Sequence, residues 1–348
     1  MGRFLLQRLS AGALVLLGVI FVIFALFLLI NVDPAKMTLG QRSDIASQEA
    51  VRARLGLDKP WYGRMAMYVG QLSPIGVHPN DAATREELGG VALLSLGDQV
   101  VLLKWPYLGR SFQSDRRVGA MLLQAISNTL ILSLAALTIA LLLGLSLGML
   151  AALRSGSWVD RLLVSLAALG VSIPSYFSAI VLSFVLGYVY HAYTGLNMIG
   201  SLYDLEGHIV WQNLILPALA LGIRPVAVIT QLTRSTMLDV LEQDYMRTAK
   251  AKGLSPTVVI VQHGLRNAVN PVITAVSGWL ASLLAGAYFV EVIFNFKGLG
   301  YMTIKAIETY DFPVIMGSVL LGATLFVLIN ILVDVLYALF DPKIKMAG

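Results

Sequence analysis

The sequence predicts an all-α polytopic membrane protein, and three observations carry that prediction. Of its 348 residues 57% are hydrophobic and only 13% charged, with a mean hydropathy of +0.77. Soluble domains run at roughly 45–50% apolar and about 25% charged. Second, the apolar residues gather into charge-poor runs of the roughly 20 residues needed to cross about 30 Å of hydrocarbon. Six such runs stand out: 9–32, 123–153, 162–190, 209–232, 272–294 and 312–340. Third, Lys and Arg concentrate in alternate short loops, as the positive-inside rule requires. The opposite short loops hold none between the third and fourth runs, and Lys297 and Lys305 between the fifth and sixth.

Taken in order, the first run follows Arg3 and Arg8, which would suit the positive end of a signal peptide. Its length and the absence of a small-x-small cleavage site after it favour a retained anchor helix, residues 1–32. With that end in the cytoplasm, Arg154 and Arg161, the basic stretch at 244–271, and Lys343 with Lys345 are cytoplasmic too, and so are both termini. Residues 33–117 then form one long outside loop, too long for its cations to count against this orientation. In it "SQEAVRARLGLDKPWYGRMAMYVGQL" has the periodicity of an amphipathic helix broken at Gly56 and Pro60. "VALLSLGDQVVLLKW" carries a hairpin signal at Gly97-Asp98. Residues 118–348 make a core of five spans, with a cytoplasmic loop at 239–270.

Several kinds of chemistry are missing. No G-x-x-x-x-G-K-[ST] occurs, so the chain is not expected to hydrolyse ATP, and "KGLGYM" lacks the third glycine and the strand-to-helix setting of a dinucleotide loop. His78, His191, His208 and His263 are scattered without metal-ligand spacing, and the chain has no cysteine. No metal or other cofactor is expected. An intramembrane serine protease needs a histidine on a later helix than its serine, and none follows His263. The net charge of +5 does not cluster with aromatics as a nucleic-acid surface would. Gly144-Leu-Ser-Leu-Gly148 reads as a close helix-packing motif. Pro174 and Pro225 interrupt spans, either lining a pathway or adjusting packing.

The cytoplasmic stretch "DYMRTAKAKGLSPTVVIVQHGLRNAVNP" is the most informative segment. Leu238, Leu241, Tyr245 and Ala249 fall near one helix face, with Glu242, Arg247, Lys250 and Lys252 on the others. Gly253 is placed to end that helix in a left-handed conformation. Ser255-Pro256 then supplies a cap and a first-turn proline for a second helix, which Asn270-Pro271 interrupts. A loop lying on lipid needs only cations. A hard turn between two helices suits a rigid docking element for a partner protein.

This stretch resembles the cytoplasmic loop of permease subunits of binding-protein-dependent ABC importers, in particular the dipeptide/oligopeptide/nickel branch. Against the general pattern E-A-A-x3-G-x9-I-x-L-P, aligned on Gly253, the chain has Arg247, Thr248 and Ala249 for the opening triplet and His263, Leu265 and Arg266 for I, L and P. "RTAKAKGLS" and "H-x-LRNA" are similar to the peptide-branch form. So are "DPAKMTLG", "RLGLDKPWYGR", "SIPSYF", "LTRSTMLDVL", "FNFKGLGYMTIKAIETYDFPVIMG" and "NILVDVLYALFDPKIK". Asn31-Val32 stands where that branch has Pro-Gly, and residues 73–104 are an extension outside the resemblance.

The resemblance implies a type I ABC importer permease fold of six spans, paired with a homologous second permease around a central path. It also implies two separate ATPase subunits beneath, an external substrate-binding protein, and a bacterial inner-membrane location in contact with lipid. Peptide is the expected cargo, with nickel and glutathione as alternatives. The helix at about Leu241–Lys252 would be the coupling helix, with Tyr245, Arg247, Thr248, Ala249, Lys250, Ala251, Lys252 and Gly253 as the ATPase-coupling residues. A stand-alone secondary transporter would instead need charges within the spans. Arg224 and Asp334 are the clearest, either as a structural pair or with Arg224 as a pathway cation.

Overall fold

A computed structural model describes residues 2–29, 49, 59–204 and 206–340. The "NVDPAK" segment, the predicted helix upstream of Gly56, and the tail with Lys343 and Lys345 lie outside them. Among the described residues four helices are long and apolar enough to cross a membrane, and two bent helix pairs raise this to six when each pair counts as one span. The chain divides into two compact units, residues 1–124 with 302–324, and 125–301 with 325–348.

In the first unit, α1 (Gly2–Leu29) is apolar on every side from Ala11 onward, as expected of a helix solvated by lipid. After the first loop come α2 (Trp61–Leu72), β1 (Ile75–Pro79), α3 (Ala82–Leu88), β2 (Val91–Leu96) and β3 (Gln99–Leu103). The sequence anticipates α2 and the β2–β3 hairpin, whose two-residue turn places Gly97 at φ +61°. It does not anticipate β1, which completes an antiparallel sheet of order β1-β3-β2. Ile20, Ile23 and Phe24 of α1 form one cluster with Met65, Tyr68 and Val69 of α2 and with Met316 and Leu320. The sheet is tied to the end of α2 by Lys104, whose Nζ donates to the carbonyls of Gln71 and Ser73. Burial holds the Lys104 ammonium below its ordinary pKa range.

Strand register decides which side of this sheet is covered. Ile75 and Val91 both sit opposite Leu103, Val77 and Leu94 opposite Val101, and Leu96 opposite Gln99, so these residues share one face. Ile75, Val77, Val91, Leu94, Leu96 and Leu103 are 46–66% exposed. Val100 and Leu102, on the opposite face, are buried.

A second link in this unit is the buried carboxylate of Asp311, which accepts from Ser111 Oγ (2.5 Å) and from the backbone N–H of Phe112 (3.0 Å). It holds the segment leading into α4 (Val118–Leu153) against the turn that precedes α11 (Phe312–Phe340).

The second unit contains most of α4, then α5 (Trp158–Ser172), α6 (Ser175–Leu182) continuing as a π-helical segment Ser183–Val189, and the long α7 (Gln212–Leu241). The expected third span is bent by 107° between α5 and the helix after it. Pro174 is the reason: it cannot donate to the helical ladder, and Ile173 before it is extended (ψ 125°). Pro217 and Pro225 lie inside α7 without ending it. Ser178 Oγ donates to the Ala220 carbonyl (3.2 Å), near the bonding that Pro225 disrupts. The Gly144/Gly148 motif acts in packing. A Cβ at Gly144 would stand 2.6 Å from Ile229 Cγ2, and one at Gly148 would stand 2.6 Å from the Thr230 carbonyl oxygen. Backbone contact between α4 and α7 therefore requires these glycines.

Candidate coupling loop and the clasps that hold it

α7 carries Thr233 and Met237 fully buried near its end. Met237 packs with Ala152 of α4 and with Ala268. Thr236 Oγ1 donates to the Ala268 carbonyl at 3.0 Å. α7 stops at Leu241, and Gln243 in extended conformation (ψ 147°) redirects the chain into α8 (Asp244–Ala251). The helix predicted at Leu241–Lys252 therefore starts three residues later. The Gln243 carbonyl accepts from Met246 (3.0 Å) and opens the new helix, while Leu241 remains in the old one.

The two faces of α8 are sharply different. Met246 and Ala249 are buried in a cluster with Val259, Val240 and Leu241. Tyr245, Arg247, Thr248, Lys250, Ala251, Lys252 and Gly253 are exposed. Ala249 is thus held small by packing within its own chain. Gly253 has φ +74° with open space around it, so its backbone conformation, not crowding, selects glycine. Ser255 Oγ caps the next helix by accepting from Val258 N–H (3.5 Å), with Pro256 in the first turn. That helix passes into a π-helical segment Val259–Leu265, which the sequence does not predict. It meets α9 (Asn270–Gly286) at a 48° bend at the Asn270-Pro271 position.

A bidentate ion pair joins α7 to the first turn of α5. Arg234 Nε lies 2.5 Å from Asp160 Oδ1 and Nη2 lies 2.7 Å from Oδ2. Asp160 Oδ2 also accepts from Gly156 N–H (2.9 Å), and Asp160 is 3% exposed. Sequence reasoning passed over both residues, although "RSGSWVDR" and "LTRSTMLDVL" each place an acid and a base at the edge of an apolar run.

A second clasp closes the other end of this unit. Glu291, in α10 (Tyr288–Ile293), is fully buried. Its carboxylate accepts from Thr129 Oγ1 of α4 (2.7 Å) and from Tyr301 N–H (2.9 Å). The Thr129 hydroxyl in turn accepts from Leu299 N–H (2.8 Å), and Asn128 Nδ2 donates to the Lys297 carbonyl (2.8 Å). The glycines of "KGLG" make room for this arrangement. A Cβ at Gly298 would overlap the Glu291 carboxylate, and one at Gly300 would overlap the Tyr288 backbone. The Gly-x-Gly spacing a few residues after an intramembrane glutamate was the available signal.

Arg224 is exposed on α7 next to the buried Pro225, and Asp334 is half-buried on α11. The two form no ion pair in this structure. Among the described residues no group of three or more His, Asp or Glu side chains is placed to hold a metal ion.

Comparison with known proteins agrees along the whole chain. Residues 144–346 match the family model described as "binding-protein-dependent transport system inner membrane component", and residues 1–79 match that of its N-terminal part. The di/tripeptide transport system permease protein DppB of Pseudomonas aeruginosa is 37% identical, with 98% of each chain covered. A putative peptide permease protein of Brucella suis is 34% identical, with 99% of each covered. The glutathione transport system permease protein GsiC of Escherichia coli K12 is 35% identical, over 90% of this chain and 89% of that one. Among solved structures, an inward-facing MetNI methionine ABC transporter superposes with a TM-score of 0.51 at 17% identity, covering 64% of this chain and 97% of that chain, a likeness of fold. The chain belongs to the family of binding-protein-dependent transport system inner-membrane components, the permease subunits of ABC importers.

Proposed function

We propose that this chain is the permease of a peptide importer, and that α8 with Gly253 is the element through which separate ATPase subunits drive it. The observation that carries the coupling assignment is the split of α8 into a face locked by Met246 and Ala249 and a face displaying Tyr245, Arg247, Lys250 and Lys252. A helix anchored in this way on α7 passes a push to the spans instead of absorbing it. Dipeptides and tripeptides are the favoured cargo because the relatives spanning nearly the full chain are named for peptide transport. Glutathione, itself a small peptide, is the second reading, resting on the similar identity to the glutathione permease.

The working complex would contain this chain, a homologous second permease, two ATPases and an external binding protein. Both termini and α8 would face the cytoplasm. Residues 1–32 would be the anchor, 33–117 the outside cap and 118–348 the core. Closure of the ATPases on ATP would draw the coupling helices together and open the path outward, and hydrolysis would release cargo inward. The bare apolar face of the β1-β3-β2 sheet would meet the binding protein that this family requires, since residues 73–104 project it from the end of α2.

The test is Gly253→Val. A β-branched residue at φ +74° costs about 1–2 kcal/mol in a turn otherwise free of contacts. The expected result is chain in the membrane at normal amount, with weakened ATPase association and loss of peptide uptake, whereas Gly253→Asn retains much of both. Normal uptake with the valine would reject the coupling assignment. Competition of labelled dipeptide uptake by glutathione separates the two cargo readings, and deletion of residues 73–104 with unchanged binding-protein association would remove the docking role.

A further inference from the structure

The last two turns of α7 are gripped from several directions, and one grip is ionic. Asp160 sits in the first turn of α5, where Ser157 Oγ caps the helix by accepting from Asp160 N–H (3.3 Å). Its carboxylate accepts from Gly156 N–H on one side and from both Nε and Nη2 of Arg234 on the other. Gly156 has φ +77°, so the α4–α5 turn is itself a fixed shape. The carboxylate therefore fastens that turn to α7 through a planar two-bond fork, which allows one orientation only.

Stability alone does not call for this arrangement, because well-packed apolar side chains replace buried ion pairs at little or no cost in many proteins. What a bidentate pair supplies is register. Arg234 stands two turns, about 10 Å, before the end of α7, and α7 leads through Gln243 directly into α8. A displacement of α8 that rotates or shifts this end of α7 must carry the α4–α5 turn with it. The apolar contacts nearby, Met237 with Ala152 and Ala268, can slide, but the fork cannot.

We infer that the Arg234–Asp160 pair is a positioning clasp that makes the α4–α5 hairpin move with the coupling loop, so that ATP-driven motion at α8 reaches the membrane helices. This rests on the coupling role proposed for α8.

The test uses the assembled complex in proteoliposomes with its binding protein, measuring dipeptide uptake and ATP hydrolysis on the same vesicles. Asp160→Asn removes one acceptor and turns an amide N–H toward existing donors. The expected result is complex and hydrolysis within about twofold of the parent and peptide transported per ATP lowered about tenfold. Arg234→Lys, which keeps the charge but loses the fork, should lower the same ratio less. Because the chain has no cysteine, Asp160→Cys with Arg234→Cys can be bridged by a short bifunctional thiosulfonate, which should restore the ratio. Uptake and hydrolysis falling in proportion, loss of assembled complex in both single variants, or a bridged protein that stays uncoupled would each overturn the clasp. If Gly253→Val in the same vesicles supports normal uptake, the coupling reading of α8 is what fails.

Discussion

The Glu291 clasp gives the sharpest quantitative prediction, because two glycines beside it are demanded by different neighbours. Gly298→Ala would push a methyl group into the Glu291 carboxylate, reaching 2.5 Å from both Cδ and Oε2. Such overpacking costs about 1–3 kcal/mol. Glu291→Ala removes the obstacle but leaves Thr129 Oγ1–H and Tyr301 N–H buried without their acceptor. At about 1–3 kcal/mol for each orphaned donor, the loss is roughly 2–6 kcal/mol. In the double variant the clash no longer exists, so the two changes should cost about 1–3 kcal/mol less than their sum. Gly300→Ala is the control: its methyl would overlap the Tyr288 backbone, which Glu291→Ala does not move, so most of its cost should add. The assay is reversible unfolding of the detergent-solubilised chain by titration with a denaturing detergent, followed by far-ultraviolet circular dichroism. Simple additivity of Gly298→Ala and Glu291→Ala would refute the claim that the carboxylate occupies the space glycine leaves.

Ala249→Trp should destabilise the isolated chain by at least about 1–3 kcal/mol, because Ala249 is enclosed by Met246, Val259 and Val240; a normal unfolding midpoint with defective ATPase binding would instead place its constraint in the partner. Gly148→Leu should lower the amount of folded chain, since its Cβ position lies 2.6 Å from both the Thr230 carbonyl oxygen and Thr233 Cβ, and immunoblotting of membranes reads this directly. We propose that Arg224, exposed on α7, acts as a pathway cation, so that Arg224→Ala should leave assembly intact and slow uptake of acidic dipeptides more than basic ones. Recovery of lost assembly by Arg224→Asp with Asp334→Arg would restore the structural-pair reading instead.

Sequence alone determined the features that depend on composition and local covalent chemistry. Runs of apolar side chains long enough to cross hydrocarbon mark the spans, because the bilayer imposes a length. Gly253 and Ser255-Pro256 announce a turn between helices, because only certain residues tolerate positive φ or cap a helix. Gly97-Asp98 announces the hairpin in the same way, and "RTAKAKGLS" carries the family. Tertiary structure decided what depends on residues far apart in the chain. One proline permits the bend at Pro174, yet nothing local in the sequence gives its size of 107°. β1 has no local signal strong enough to show without β3 beside it. The sequence places Ala249 on α8 but does not show that its own chain encloses it, with Met246 and Val259. Arg234 and Asp160 are 74 positions apart, and Thr129 and Glu291 are 162 apart. In the linear sequence Asp160, Arg234 and Thr129 stand without a marked partner, and Glu291 is marked only by the glycines that follow it. Burial gives them meaning, because a carboxylate removed from water must find donors, and only the folded chain shows which donors it found.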